Sequence, residues 1–265
     1  MKKKLREYIN LLLSSKGLVI VRKYDIDHRR IKLDEAIDEL SIVFGKFLSP
    51  VDISSKQINL LGNLYGTNAS EGLYIVSLLQ RVMSKNGDVC EFGIANGATS
   101  VLIANQIRKS KKLLWLFDSF QGLSAPGAKD KLIDDIFKLG SMSRYKGAMT
   151  YARSDVEQKL VQIKFPKSRT RIVEGYVEDS FGNSNLPKRV SFAYIDFDLY
   201  GPTIDTLKFL QKKIVKGGYI IVDDYDFFSS GVKTAVNEFM QLNGSHYTMT
   251  LPEKGLGNFC ILKRN

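Results

Sequence analysis

Short apolar runs alternate with helix-period segments along most of this chain, and that alternation constrains its fold more than any other feature. "DVCEFG" (88–93), "LLWLFD" (113–118), "RTRIVEG" (169–175), "VSFAYID" (190–196) and "GYIIVDD" (218–224) have the length and the apolar, β-branched or aromatic content of buried strands. "ATSVLIANQIRK" (98–109), "PTIDTLKFLQKKI" (202–214, with Pro202 in the first turn) and "GVKTAVNEFMQL" (231–242) carry apolar residues at helical spacing. "GAKDKLIDDIFKLG" (127–140) predicts one more helix. Strands that alternate with helices pack as a parallel sheet covered on both faces. The ending breaks the rule. "HYTMTLP" and "GNFCILK" have no helix between them, which predicts an antiparallel hairpin. The expected fold is α/β: a doubly wound, mostly parallel, seven-stranded Rossmann-like sheet with a C-terminal antiparallel hairpin and N-terminal helices.

Before the first strand the spacing predicts helices over 34–47, from the serines at 54 and 55, and over about 70–83. Residues 1–85 are therefore expected to be a basic arm and a helical lid or oligomerisation segment, with the likeness to a homo-oligomer contact resting on their apolar faces. Residues 86–265 are expected to be the ligand-binding domain. The net charge is +11, which raises the question of nucleic acid. Its distribution argues against that partner, because residues 1–30 hold nine lysines and arginines against three acids. This arm suits peripheral contact with an anionic membrane surface, or simply a solubilising terminus. The two cysteines, Cys90 and Cys260, lie inside apolar strand runs, as buried thiols of a reducing, cytoplasmic protein would.

Ligands of an open parallel sheet sit at the carboxyl ends of its strands, and carboxylates fall there repeatedly: Glu91, Asp118, Asp196, Asp198, Asp223 and Asp224. "EFGIANGATS" (91–100) sets an acid and two glycines, Gly93 and Gly97, between a strand and a helix, so the backbone can approach a ligand closely. Asp118 closes the next strand, where an acid suits a ribose diol or caps the following turn. Tyr176 follows the third strand, near an adenine or in the core. Asp196 and Asp198 face the same side of an extended chain, and with Asp223 and Asp224 they put four aspartates at two strand ends. Gathering them out of water without counter-charge is costly. A hard divalent cation on oxygen ligands, Mg²⁺ foremost, resolves that cost; helix caps or ion pairs with lysine and arginine are the alternative. Neither histidine, His28 nor His246, lies in a motif.

"CEFGIANGATS", "LFDSFQGL", "EGYVEDSF", "AYIDFDLYGPTIDTL" and "GGYIIVDDYDFFSSGVKTAVNEF" together resemble the macrocin O-methyltransferase (TylF) family over about residues 86–243. The resemblance implies a class I S-adenosylmethionine-dependent, Mg²⁺-requiring O-methyltransferase that acts on the hydroxyl of a sugar, a glycosylated natural product or a polysaccharide precursor. It further implies that Glu91, Gly93, Asn96, Gly97, Asp118, Ser119, Tyr176 and Asp196 hold the cofactor. Asp196, Asp223 and Asp224 would then bind the metal, with Asp198 as general base. Gln121 and Ser124 stand where the family often has Glu and Pro. A metal-dependent glycosyltransferase with a D-x-D motif would account for Asp196 and Asp198, but not for the 91–97 turn or the Asp223–Asp224 pair.

Overall fold

The structure is a computed structural model and describes residues 54–182 and 185–265. The expected basic arm and the helix over 34–47 lie outside those residues. Two helices, α1 (Ser55–Leu61) and α2 (Ala69–Val82), lead into β1 (Asp88–Phe92), α3 (Ala98–Ile107) and β2 (Leu114–Asp118). A long connection reaches α4 (Arg153–Gln162). Then follow β3 (Thr170–Glu174), the single turn α5 (Val177–Ser180), β4 (Val190–Ile195), α6 (Tyr200–Gln211), β5 (Ile214–Val222), α7 (Ser230–Asn243), β6 (Tyr247–Thr250) and β7 (Cys260–Arg264).

These strands form one seven-stranded sheet in the order β3-β2-β1-β4-β5-β7-β6. β1 to β5 run parallel; β7 pairs antiparallel to both β5 and β6, so the expected hairpin forms and inserts its second strand beside β5. Strand order reverses between β1 and β4, which opens a crevice at their carboxyl ends.

Period-two alternation sorts the strand side chains onto two faces. Val89, Leu114, Leu116, Phe192, Tyr194 and Ile221 pack under α2 and α3. Cys90, Phe92, Trp115, Phe117, Ile195, Ile220 and Val222 pack under α6 and α7. Both cysteines are buried and free, as the sequence predicts. β5 starts at Ile214, earlier than its apolar run suggests. Ile214 pairs with Val190 and Tyr219 with Phe192, so the intervening "VKGG" stretch, with Gly217 at φ +68°, bulges out of the ladder.

The helix expected over 127–140 does not form. Its backbone donors find tertiary partners instead of carbonyls four residues back. Ile133 N–H donates to Phe228 O (3.0 Å), Lys131 N–H to Ser230 Oγ (3.0 Å), and Leu132 bridges Ser229. The Asp135 carboxylate accepts from Leu139 and Gly140 N–H, both at 2.8 Å, and from the Tyr145 hydroxyl at 2.6 Å. Every one of those bonds satisfies a backbone or side-chain group without helical geometry, so helix propensity loses to tertiary contact. Tyr145 is fully buried and, with Leu123, Leu199 and Phe228, makes a small third core beneath this connection, above the carboxyl end of the sheet.

Candidate active site

A cavity of about 260 Å³ opens at the β1/β4 crevice. The turns after β1, β2, β4 and β5 supply Gly93, Asp118, Ser119, Asp196, Asp198, Asp223 and Asp224 to its wall, and Tyr176 after β3 lines it too. The ladder brings these residues level. Gly93 N–H donates to Phe117 O (2.9 Å), Asp196 N–H to Phe92 O (2.7 Å) and Asp223 N–H to Ile195 O (2.8 Å). Gly93, Asp196 and Asp223 thus each sit one step beyond their strand, at the same height.

Gly93 has φ +80°, and a Cβ there would collide with the carbonyl of Asp196. Only glycine lets the turn after β1 lie against the turn after β4. Glu91 is fully buried one residue before the end of β1, and neither carboxylate oxygen has a hydrogen-bond partner among the described residues. Burial pushes its carboxyl up to about 8, opposed by the Ser100 hydroxyl beside it, with the nearby Asp118 charge adding to the rise. Asp118 is committed to backbone donors. Oδ2 accepts from Ile94 N–H (2.7 Å) and Oδ1 from Phe120 N–H (2.7 Å), so it caps its own turn and ties down the glycine loop. A carboxylate has about four lone-pair sites, which leaves capacity for a diol. Ser119 Oγ closes the same turn by donating to Gly122 O at 3.0 Å. Asn96 and Gly97 stand behind the wall. Asn96 Oδ1 accepts from Ala98 N–H (2.9 Å) at the start of α3, and Gly97 packs against Val156.

The acids after β4 and β5 form two groups. Carboxylate oxygens of Asp196, Asp198 and Asp224 lie within 4.8 Å of one another. Asp223 turns the other way. It accepts from the Tyr194 hydroxyl at 2.6 Å and lies against Glu71, an acid of α2 with only 2% exposure. Both residues lie past the end of β5, and the left-handed backbone at Asp224 turns its side chain away from that of Asp223. Asp198 (φ +63°) and Asp224 (φ +55°) both take the left-handed conformation, uncommon outside glycine and enriched at functional sites. Burial, and then the charges of Asp223 and Asp224, hold the Asp196 carboxyl well above the carboxylate range. Asp198 is raised to about 7, chiefly by burial and opposed by a hydrogen bond from Asp224. Glu71 is likewise raised, by burial and then by Asp223. Like-charged oxygens packed this way fit an all-oxygen cation site.

Sequence reasoning did not single out Glu71, nor the mouth of the cavity. Tyr65 and Gly66, between α1 and α2, face Ile136, Phe137, Met149 and Tyr151 of the long connection after β2. Tyr65 is 62% exposed and Phe137 49%, and the Tyr65 and Tyr151 hydroxyls hydrogen-bond. A buried-looking glutamate in the otherwise apolar "GLYIVSLL" neighbourhood was the available signal for Glu71; no local pattern marks the mouth.

Strand order, the crevice and its acids define the Rossmann-like O-methyltransferase fold. The chain belongs to the macrocin O-methyltransferase (TylF) family, whose model matches residues 75–252. It is 28% identical over 156 residues to the demethyldecarbamoylnovobiocin O-methyltransferase of Streptomyces niveus, covering 58% of each chain. It is 25% identical over 142 residues to the 8-demethyl-8-(2,3-dimethoxy-alpha-L-rhamnosyl)-tetracenomycin-C 4'-O-methyltransferase of Streptomyces olivaceus, covering 52% of this chain and 53% of the other. The matched region is therefore less than two thirds of either relative's length. Among solved structures, the O-methyltransferase NovP superposes with a TM-score of 0.65 at 20% identity, over 88% of this chain and 99% of that one. The D-x-D glycosyltransferase alternative finds no support in this fold or these relatives.

Proposed function

We propose that this protein transfers a methyl group from S-adenosylmethionine to a sugar hydroxyl, with a hard divalent cation bound among the aspartates. The observation that carries the reading is the convergence of Gly93, Asp118, Asp196, Asp198, Asp223 and Asp224 on one cavity at the sheet's switch point, with Glu91 buried behind its wall. The cofactor supplies a methyl group already activated on a sulfonium. The unpartnered Glu91 carboxylate and the glycine cradle fit a cationic ligand with a ribose, and Asp118, Ser119 and Tyr176 border the space it would fill. The cation, Mg²⁺ foremost, makes an acceptor hydroxyl easier to deprotonate.

Asp196 and Asp224 are the ligands we assign first. Asp223, the third ligand that the resemblance implies, would have to turn from Tyr194 and Glu71 toward Asp196 and Asp224 to reach the cation. Asp198 accepts the acceptor's proton as general base. Its closeness to Asp196 and Asp224 favours one second reading, in which Asp198 is itself the third ligand. The remaining work is alignment of oxygen and methyl carbon, which the walls of the cavity perform.

The relatives' names concern glycosylated natural products, and the lining of this cavity accords with such an acceptor. Among the described residues it contains no lysine, arginine or histidine. A nucleotide sugar would bring a diphosphate into an acidic, cation-poor pocket, whereas a neutral sugar with an apolar body would meet Tyr65, Ile136 and Phe137. A polysaccharide precursor fits if its phosphate stays outside. The wall contributed by Tyr65 and Gly66 supports the assignment of residues 1–85 as a lid, with an oligomer contact and a membrane-facing basic arm proposed for the same segment. No helix among the described residues is long and apolar enough to cross a membrane.

Calorimetry with S-adenosylhomocysteine and Mn²⁺, followed by mass spectrometry of products from a panel of glycosides and nucleotide sugars, tests the proposal. Binding of both ligands and a mass increase of one methyl on a neutral glycoside is the expected result. No S-adenosylhomocysteine binding would overturn it.

A further inference from the structure

Two side chains that the reaction does not touch converge on the backbone that carries Asp198. Ser229 is fully buried, and its hydroxyl donates to the Asp198 carbonyl at 2.6 Å while accepting from Gly231 N–H at 3.1 Å. Asp130, from the long connection after β2, is 7% exposed; Oδ1 accepts from Tyr200 N–H at 2.7 Å and Oδ2 from Gly127 N–H at 2.7 Å. The residue before Tyr200 is Leu199, whose side chain cannot accept a hydrogen bond. Asp130 therefore does from a distance what a capping residue of α6 would do locally. A Cβ at Gly231 would collide with Asp130 Oδ1, so the start of α7 is shaped to let this carboxylate through. Between the two anchored points lies Asp198 at φ +63°, a conformation the surrounding structure has to enforce.

We propose that Ser229 and Asp130 are positioning residues that hold the 198–200 turn so that the Asp198 carboxylate meets Asp196 and Asp224. The inference rests on the site reading above but on neither of its two roles for Asp198. It also makes the site depend on the 125–150 connection, because Asp130 belongs to the same strapped segment that presents Ile136 and Phe137 to the cavity. A connection displaced from its seat would release Tyr200 N–H and loosen the catalytic turn.

The test is a double-mutant cycle between Ser229 and Asp198. Ser229→Gly keeps a residue that caps helices acceptably yet removes the donor to Asp198 O. Asp198→Asn first shows which quantity reports on Asp198, Mn²⁺ affinity by calorimetry or methyl transfer to the glycoside that the panel identifies. Ser229→Gly is expected to lower that same quantity about tenfold, the scale of loss when a partner orienting a ligand is removed. S-adenosylhomocysteine affinity should be unchanged, and the substitution should add nothing once Asp198 is already Asn. Asp130→Ala should act in the same direction, with Asp130→Asn, which keeps an acceptor for Tyr200 N–H, restoring most of the loss. If Ser229→Gly leaves the reporting quantity intact, or its loss adds fully to that of Asp198→Asn, the positioning role is overturned while the site reading stands. If Asp198→Asn changes neither quantity, the site reading fails and takes this inference with it. Should Ser229→Gly not fold, the Asp130 pair decides alone: equal loss in Asp130→Ala and Asp130→Asn would overturn the proposal.

Discussion

The two ends of the central strands handle buried charge in opposite ways. At the amino end, Lys112 is 7% exposed, and its ammonium donates to Lys85 O (2.6 Å), Gly87 O (2.7 Å) and Ser191 Oγ (2.9 Å). Beside it, Asp88 accepts from Leu113 N–H (3.1 Å) and from the Trp115 indole (3.0 Å). Each polar group there has partners of the opposite kind. At the carboxyl end, Glu91 has no cation and at most the Ser100 hydroxyl beside it, and Asp196, Asp198 and Asp224 have mainly one another. A satisfied charge network rigidifies a fold, whereas a half-satisfied one is destabilising until something binds. The amino end is built for the sheet, and the carboxyl end holds its acids ready for ligands.

The largest effect that would break this contrast belongs to Asp198. Asp198→Asn should lower methyl transfer by about 10²–10⁴-fold, the usual contribution of a general base, with S-adenosylhomocysteine affinity retained. Near-normal turnover, read by product mass, would remove Asp198 from the chemistry.

A smaller but still large effect is expected in the pH dependence of ligand-free stability. The folded pKa of Glu91, about 8, lies above its usual carboxylate value, so the folded state binds more protons than the unfolded one between those values. Its contribution is therefore fully favourable at low pH and is lost as pH rises through about 8. The cost is at most about 1.4 kcal/mol per pH unit. Thermal melts from pH 5 to 8 should show a falling midpoint that flattens in Glu91→Gln. An identical slope in both proteins would mean that Glu91 is not the buried acid described.

At the opposite end, Lys112→Met should cost about 1–3 kcal/mol in denaturant unfolding, because carbonyls of Lys85 and Gly87 lose a buried donor. Cofactor affinity should not change; a change would couple the two ends. The smallest effect should come from the surface. Arg153 pairs with Glu157 and Glu174, each at 2.9 Å, but all three are about half exposed. Arg153→Ala should therefore shift stability by no more than about 1 kcal/mol.

Much of the fold was legible because its signals are local. The alternation of apolar runs with helical spacing gave the parallel core, and the missing helix between the last two runs gave the antiparallel pair. The 127–140 helix was misread because its apolar spacing looks helical, while its partners, Phe228, Ser229 and Ser230, lie about a hundred residues away. At the site, acids that end strands were visible, since a parallel sheet brings all its strand ends to one side. Glu71 was not, because an acid in the first turn of a helix is ordinary there and says nothing about which acid it will meet.

The sequence by itself determined which strands exist and that acids and glycines would stand at their carboxyl ends. Those features follow from the apolar pattern of each segment alone. Only the tertiary structure decided how the acids divide, with Asp198 beside Asp196 and Asp224, and Asp223 turned toward Tyr194 and Glu71. That division depends on two left-handed residues, on Ser229 and Asp130 reaching the same turn, and on a helix packed from the start of the described chain. Side-chain direction at a strand end is set by contacts distant in sequence, and a one-dimensional pattern does not carry them.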